Sequence, residues 1–243
     1  MVAENVMEVA FELDGSSSGG SSSSSSSSGS SHFPFRPGQY VSVTLPSLAY
    51  PDSRGRSRSF NMVNSPNNSK YLYFAFVVRE QSGFKRTLAE APIGTNVGIR
   101  GPYGMFTLPE GDRDFVMVAS GIGVTACLSI AIYAAEMQLG QKITMLYNTA
   151  PGEGKTAATA TATAMPYVKE LQQLKGVNPN FDVRFASGAG GIDQSLIKRS
   201  VEDPKSRRWL VAGSPGQTGR VRSTLLKMGV PVQAIRTEDF TGY

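Results

Sequence analysis

Histidine and cysteine are nearly missing from this 243-residue chain, which has one of each, His32 and Cys127. A lone cysteine forms no intramolecular disulfide, and no cysteine cluster exists to hold an iron–sulfur centre or a zinc ion. One histidine leaves no histidine-built metal site, so no metal centre is expected and an organic cofactor must carry any difficult chemistry. Long apolar runs are lacking too. The longest, Val124 to Ala135, is too short for a bilayer and is broken by Thr125 and Ser129. Met1 to Asp14 carries acidic residues where a secretory leader would carry basic ones. No membrane span and a cytoplasmic location are the expectations that follow.

What is there fits a globular protein: 40% of residues are apolar and 18% charged, enough to bury a real core. The length suits one large or two small domains. A net charge of +5 with a pI near 9.3 has two readings. It is ordinary solubility, or it attracts dinucleotide phosphates or an acidic electron-transfer partner. No aromatic-studded basic stripe accompanies it, so no nucleic-acid partner is expected.

Residues 15 to 31 are all Gly or Ser, a composition that buries nothing and reads as a flexible loop. Alternating apolar residues flank it (Val6, Val9, Phe11, Leu13, then Tyr40, Val41, Val43, Leu45), so it lengthens a loop between two strands of one domain. A second biased run, Thr156 to Ala164, alternates Ala and Thr and reads as a loop expansion or a short helix. The two halves differ in rhythm. Strand-like pieces at 5–13, 39–45, 57–63, 71–79 and 96–100, parted by Pro, Gly, Asn and Ser clusters, predict an antiparallel barrel, with one short helix at 83–90 before Pro92. Beyond residue 113 the pattern turns to β-α-β-α. Phe115 to Ala119 is a continuous apolar run, as in a strand buried on both faces. Helices at 124–139, 166–175, 193–201 and 217–228 then alternate with strands at 143–147, 181–186, 208–212 and 232–236, predicting a parallel α/β sheet. The domain boundary falls near Asp112, giving domains 1–111 and 112–243.

Three segments carry chemistry. Ala119-Ser120-Gly121-Ile122-Gly123-Val124-Thr125 runs a strand into a Gly-x-Gly turn and a helix; this is a tight turn or a diphosphate cradle, and the third glycine of the usual dinucleotide fingerprint is missing. Val211-Ala212-Gly213-Ser214-Pro215-Gly216 repeats the strand–glycine–helix arrangement, and two such turns on one sheet would line a single crevice. In Arg56-Ser57-Arg58-Ser59-Phe60-Asn61, alternation puts Arg58 and Phe60 on one face. A guanidinium there suits a pyrophosphate and a ring suits a flat heterocycle; an ordinary half-exposed strand is the other reading.

Read in order, these residues resemble the ferredoxin–NADP reductase superfamily, an FAD-binding barrel joined to an NAD(P)-binding domain. Phe35-Arg36-Pro37-Gly38-Gln39-Tyr40 is similar to its Pro-Gly-Gln entry into the second strand, and Arg58-Ser59-Phe60-Asn61 to its Arg-x-Tyr/Phe-Ser/Thr flavin motif. Phe84-Lys85-Arg86-Thr87-Leu88, with Gly94 and Val97, resembles the pyrophosphate-binding helix, and Gly101-Pro102-Tyr103-Gly104-Met105-Phe106 the link into the second domain. The two glycine turns resemble the nicotinamide-nucleotide motifs, and Glu238-Asp239-Phe240-Thr241-Gly242-Tyr243 the Glu-x-Phe-x-Gly-Tyr tail of bacterial-type members.

The resemblance implies a six-stranded antiparallel barrel and a Rossmann-like α/β domain, with FAD and NADH or NADPH as cofactors. By it, Arg58 with neighbouring Ser59 binds the FAD pyrophosphate, Phe60 packs on the isoalloxazine, and Lys85, Arg86 and Thr87 complete the phosphate site. Gly121, Gly123 and Thr125 cradle the NAD(P) diphosphate, Gly213, Ser214 and Pro215 shape the nicotinamide pocket, and Phe240 or Tyr243 covers the other flavin face. Asn61 sits near the reactive flavin nitrogen, and Glu238 relays a proton there or is a solvated terminal residue. Four positions depart from the pattern: Asn61 for Ser or Thr, Lys85 for a small hydroxyl residue, Ala126 for Pro, and Ala212 for Cys. The first and last bear on the hydride-transfer rate. Cys127, one turn into the helix, reads as core packing and His32 as a loop residue. After Leu146-Tyr147-Asn148 no arginine stands ready to clamp a 2′-phosphate and Lys155 is the only nearby cation, which tilts the choice to NADH. With no fused globin, ferredoxin or oxygenase domain in the 243 residues, electrons are expected to leave to a separate protein (a small acidic redox protein among the candidates), to a small quinone-like or ferric acceptor, or to oxygen. A catalytically weak flavin-binding module that regulates or docks a partner is the alternative, and a nucleotide-binding protein without flavin is a third.

Overall fold

The computed structural model describes residues 3, 5–13, 33–68, 70–111, 113–148, 165–186 and 191–241. The Gly/Ser tract, His32, the Ala/Thr run, Asp112, Lys155 and Tyr243, on which expectations were placed, lie outside them.

The first half contains β1 (Val6–Glu12), β2 (Tyr40–Thr44), β3 (Ser57–Asn61), β4 (Tyr71–Val77), helix α1 (Gly83–Glu90) and β5 (Gly98–Tyr103). Among the described residues these are five strands rather than six, in two antiparallel sheets, β1–β4 and β3–β2–β5. No ladder joins β3 to β4. Asn64, in the turn between them, does that work with its side chain: its Nδ2 donates to the Tyr71 carbonyl at 3.0 Å and its Oδ1 accepts from the Tyr73 N–H at 3.0 Å. The apolar faces close on one another instead, with Phe60 of β3 packed between Phe74 and Phe76 of β4 and Phe84 of α1. Ser82 starts α1 by accepting from the Lys85 N–H, and Pro92 follows its end, so the helix spans the predicted residues.

The second half contains β6 (Phe115–Ser120), α2 (Val124–Glu136), β7 (Ile143–Asn148), α3 (Val168–Val177), β8 (Phe181–Ala186), α4 (Gln194–Ser200), β9 (Arg208–Gly213), α5 (Pro215–Lys227) and β10 (Ile235–Asp239). The strands form one parallel sheet in the order β10-β9-β6-β7-β8, a doubly wound order whose switch point lies between β6 and β9. All six residues of β6 are buried, as its unbroken apolar composition demands. The last strand differs from expectation. Residues 232–234 form a 3-10 turn with Val232 exposed, and pairing begins only where Ile235 meets Trp209, so β10 runs on to Asp239. One core cluster spans both halves, joining Val6, Val63, Ala75 and Phe106 to Phe115, Met117, Cys127 and Ile130. Hydrogen bonds across the same junction run from the Tyr167 hydroxyl to Glu8 (2.6 Å) and from the Ser129 hydroxyl to the Asn64 carbonyl (2.8 Å). Among the described residues no helix is long and apolar enough to cross a membrane, and no group of His, Cys, Asp and Glu is placed to hold a metal ion.

Candidate functional site

The switch point sets the site. β6 and β9 are neighbours, with Ala119 opposite Ala212, so the two glycine turns leave the sheet side by side at its carboxyl edge. Gly121 has φ +55, a left-handed conformation that favours glycine, and a Cβ there would meet nothing within 4 Å. Gly123 is different: a Cβ there would lie 2.7 Å from the Ala212 carbonyl carbon and oxygen and 2.8 Å from the Gly213 nitrogen. Gly123 therefore seats α2 against β9, and Gly121 is the glycine of the pair that faces outward. The Thr125 hydroxyl donates to the Ile122 carbonyl at 2.9 Å and fixes the turn from inside, while the Tyr147 hydroxyl lies 3.2 Å from the Gly121 carbonyl. Gly213 is buried and accepts the Phe240 N–H at 2.8 Å, Ser214 caps α5, and Pro215 opens it. That last bond steers the chain leaving β10 back across the sheet edge.

A cleft of about 360 Å³ lies where this edge meets the first half. Arg58, Ser59, Phe60 and Asn61 of β3 and Lys85 of α1 line one wall; Ile122, Thr125, Glu238 and Phe240 line the other. Arg54 spans the two, its guanidinium 3.5 Å from the Thr241 carbonyl. The volume is within the range of ligand-binding clefts.

Arg58 is buried at 7% exposure. Its Nη1 donates to the carbonyls of Arg54 (3.1 Å), Gly55 (3.0 Å) and Ser57 (2.7 Å), and its Nη2 to Asp52 (2.5 Å). Its Nε–H is buried with no partner among the described residues, an unmet donor in a basic pocket. Lys85 is equally buried. Burial first, then Arg79, Arg58 and Arg54, depress its ammonium to about 8. Cations gathered around a buried guanidinium with an unmet donor suit a polyanion. Glu238, across the cleft, is shifted above the ordinary carboxylate value by burial and by neighbouring Asp239.

The cleft thus brings together Arg58, Ser59, Phe60, Asn61, Lys85, Thr125, Glu238 and Phe240 from two halves of the chain. Others take different places. Arg86 stacks on the Tyr50 ring at 3.6 Å, and Thr87 accepts the Ala49 N–H and donates to the Gly83 carbonyl, so neither lines the cleft. Most of the Phe60 ring is inside the aromatic cluster, at 8% residual exposure, so the broad stacking face the sequence suggested is largely covered. Asn61 spends one N–H on the Gly38 carbonyl at 2.9 Å. Cys127 is fully buried in the core, where desolvation raises its thiol well above the ordinary range. Sequence reasoning missed Asp52, Arg54 and Arg79. For Asp52 and Arg54 the only signal was the density of charge in Asp52-Ser53-Arg54-Gly55-Arg56, and Arg79 lies outside that segment.

No protein-family model matches the chain. It is similar to methane monooxygenase component C of Methylosinus trichosporium, at 26% identity over 67% of this chain and 45% of that protein. It is also similar to the reductase component of propane 2-monooxygenase of Mycolicibacterium goodii, at 27% identity over 86% of this chain and 60% of that one. The chain thus spans about half the length of these relatives. Among solved structures, the flavohem-like FAD/NAD binding domain of nitric oxide dioxygenase from Vibrio cholerae superposes with a TM-score of 0.76 at 17% identity, over 98% of this chain and 93% of that one. Both relatives are named as components of monooxygenases, and the chain shares the fold of the Vibrio cholerae FAD/NAD binding domain.

Proposed function

We propose that the chain is an FAD-dependent oxidoreductase that takes a hydride from a nicotinamide dinucleotide and passes electrons to a separate acceptor. The observation that carries this reading is the cleft where Arg58, Asn61 and Lys85 of one half face Thr125, Glu238 and Phe240 of the other. The residues fit the cofactor: the buried Arg58 Nε–H has no acceptor among the described residues, the pocket is basic, and Gly121 leaves backbone clearance beside it. FAD, when bound, accepts the hydride and releases electrons onward. Arg58 and Lys85 would hold its diphosphate, Asn61 would offer its remaining N–H to the flavin, and Phe240 would cover the ring until a nicotinamide displaces it. Glu238, a carboxyl lining the cleft, would relay a proton there. Hydride transfer needs proximity, alignment and exclusion of water, which rigid walls from two halves supply.

We place the FAD-binding part at residues 1–111 and the NAD(P)-binding part at 112–243. NADH is the preferred donor, since Thr149-Ala150-Pro151, directly after Asn148, bring no arginine to clamp a 2′-phosphate. The acceptor is a separate redox protein, in keeping with relatives named as components of oxygenase systems. Anaerobic stopped-flow reduction of the purified protein tests the reading. A yellow preparation bleached faster by NADH than by NADPH is expected. Yellow protein that neither nucleotide bleaches favours a flavin-binding docking module, a reading supported by the commitment of Asn61 to Gly38 and by Ala212 in place of a thiol. A colourless preparation that refuses added FAD rejects both.

A further inference from the structure

Asp52 already sits where a diphosphate is needed. Its carboxylate accepts from Arg58 Nη2 (2.5 Å), the Arg54 N–H (3.0 Å), the Ser82 hydroxyl (3.3 Å) and the Phe84 N–H in the first turn of α1 (3.0 Å). These are the donor types, a guanidinium and a helix N-terminus, that bind phosphate oxygens. The segment bearing Asp52 is strapped over the helix: Ala49 donates to Thr87 at 3.0 Å, the Tyr50 ring stacks on Arg86, and its hydroxyl reaches Glu90 at 2.5 Å. Gly83 permits this closeness, because a Cβ there would lie 2.3 Å from the Pro51 carbonyl.

A purely structural task does not account for this carboxylate. Three carbonyls orient Arg58 through Nη1 without it, and Ser82 caps α1 without it. What Asp52 adds is negative charge against the buried Arg58 guanidinium, whose Nε–H has no partner among the described residues. The geometry points to Asp52 as an internal competitor of the cofactor's diphosphate: both use Arg58 and the first turn of α1, so the diphosphate binds when Asp52 and its strap let go. The inference rests on the reading of this cleft as an FAD site, and it assigns Asp52 the setting of affinity there.

The test is FAD titration of the flavin-free full-length chain, followed by fluorescence quenching, for wild type and Asp52→Asn. If Asp52 engages the donors in about nine chains of ten, removing its charge tightens FAD binding about tenfold. The same variant, flavin-free, melts below wild type by circular dichroism because an ion pair is lost. Affinity and stability moving in opposite directions is the expected signature. Riboflavin, which has no diphosphate, binds both proteins alike, and inorganic pyrophosphate competes with FAD at lower concentration in the variant. Should Asp52→Asn fail to fold, Tyr50→Ala loosens the strap and lowers the FAD dissociation constant in the same direction. An unchanged or weaker FAD affinity in the variants, with wild type binding FAD normally, overturns the inference and leaves the oxidoreductase reading standing. Failure of wild type and variants alike to bind FAD overturns both.

Discussion

Gly121→Ala and Gly123→Ala alter two glycines of one turn, two positions apart, and their effects are expected to separate cleanly. At Gly123 the new methyl meets backbone on every side, with the Ala212 carbonyl at 2.7 Å and the Gly213 nitrogen at 2.8 Å. No side chain is there to swing away, so α2 must lift from β9, an overpacking cost of about 3 kcal/mol. For a chain of this size that lowers the melting temperature by about 6–12 °C. At Gly121 the methyl enters open space, and the cost is confined to holding an alanine at φ +55, about 1 kcal/mol or about 2–4 °C. Binding is expected to run the other way. The Gly121 methyl projects where a dinucleotide diphosphate approaches the backbone, so NADH affinity falls about tenfold, worth about 1.4 kcal/mol. Below its melting temperature the Gly123 variant keeps an affinity near wild type. Thermal melts by circular dichroism and equilibrium titration with NADH at 15 °C read both quantities. Equal destabilisation of the two variants, or weaker NADH binding by Gly123→Ala alone, would refute the assignment of one glycine to packing and the other to the ligand.

Four further outcomes follow. Lys85 is depressed to about 8, and a bound diphosphate raises it again, so binding takes up a proton: FAD affinity is full below about pH 8 and weakens as pH rises beyond it, and Lys85→Met flattens that slope in titrations from pH 7 to 10. Arg58→Met leaves Asp52 buried without its partner and is expected to cost about 3–5 kcal/mol in urea unfolding and to release flavin on gel filtration. Burial alone would raise the Asp52 carboxyl, but N–H groups of Phe84 and Arg54 and the Arg58 guanidinium outweigh it and hold it at about 2. Its folded value is thus below the unfolded 3.8, so its stabilisation is present above about pH 4 and lost as pH falls toward 2, a limb that Asp52→Asn removes in acid titration followed by circular dichroism. Cys127, fully buried, is expected to resist thiol reagents in the native protein and to react at once in denaturant, as a colorimetric thiol assay will report.

What the sequence displayed was local. The apolar run Phe115–Ala119 and the glycine after it are enough for a buried strand turning into a helix, and Ser82 with Pro92 brackets α1. What it hid depended on direction and distance. Lys85, Arg86 and Thr87 are consecutive, but successive helix residues point about 100° apart, so one wall of a cleft cannot take all three. Lys85 faces the cleft, and its neighbours turn to Tyr50 and Ala49. Asp52 reads as an ordinary turn residue because its partner amide, Phe84, lies in another element. Phe60 alternates as a cleft-facing residue would, and the same alternation suits the aromatic cluster that in fact holds it.

The tail shows most plainly how function arises from register. Read alone, Glu238 and Phe240 belong to a polar chain end beyond a strand at 232–236. Ile235 prefers burial opposite Trp209, and once that pair is set every later residue of β10 has a fixed neighbour: Glu238 lies opposite Ala212 and Asp239 opposite Gly213. The Phe240 N–H then reaches the Gly213 carbonyl, which turns the chain across the mouth of the cleft toward Arg54. Displacing β10 by one residue would turn Glu238 to the other side of the sheet and break the Phe240–Gly213 bond. The acid at the cleft is therefore placed by Ile235 and Trp209, two apolar residues that do not line it.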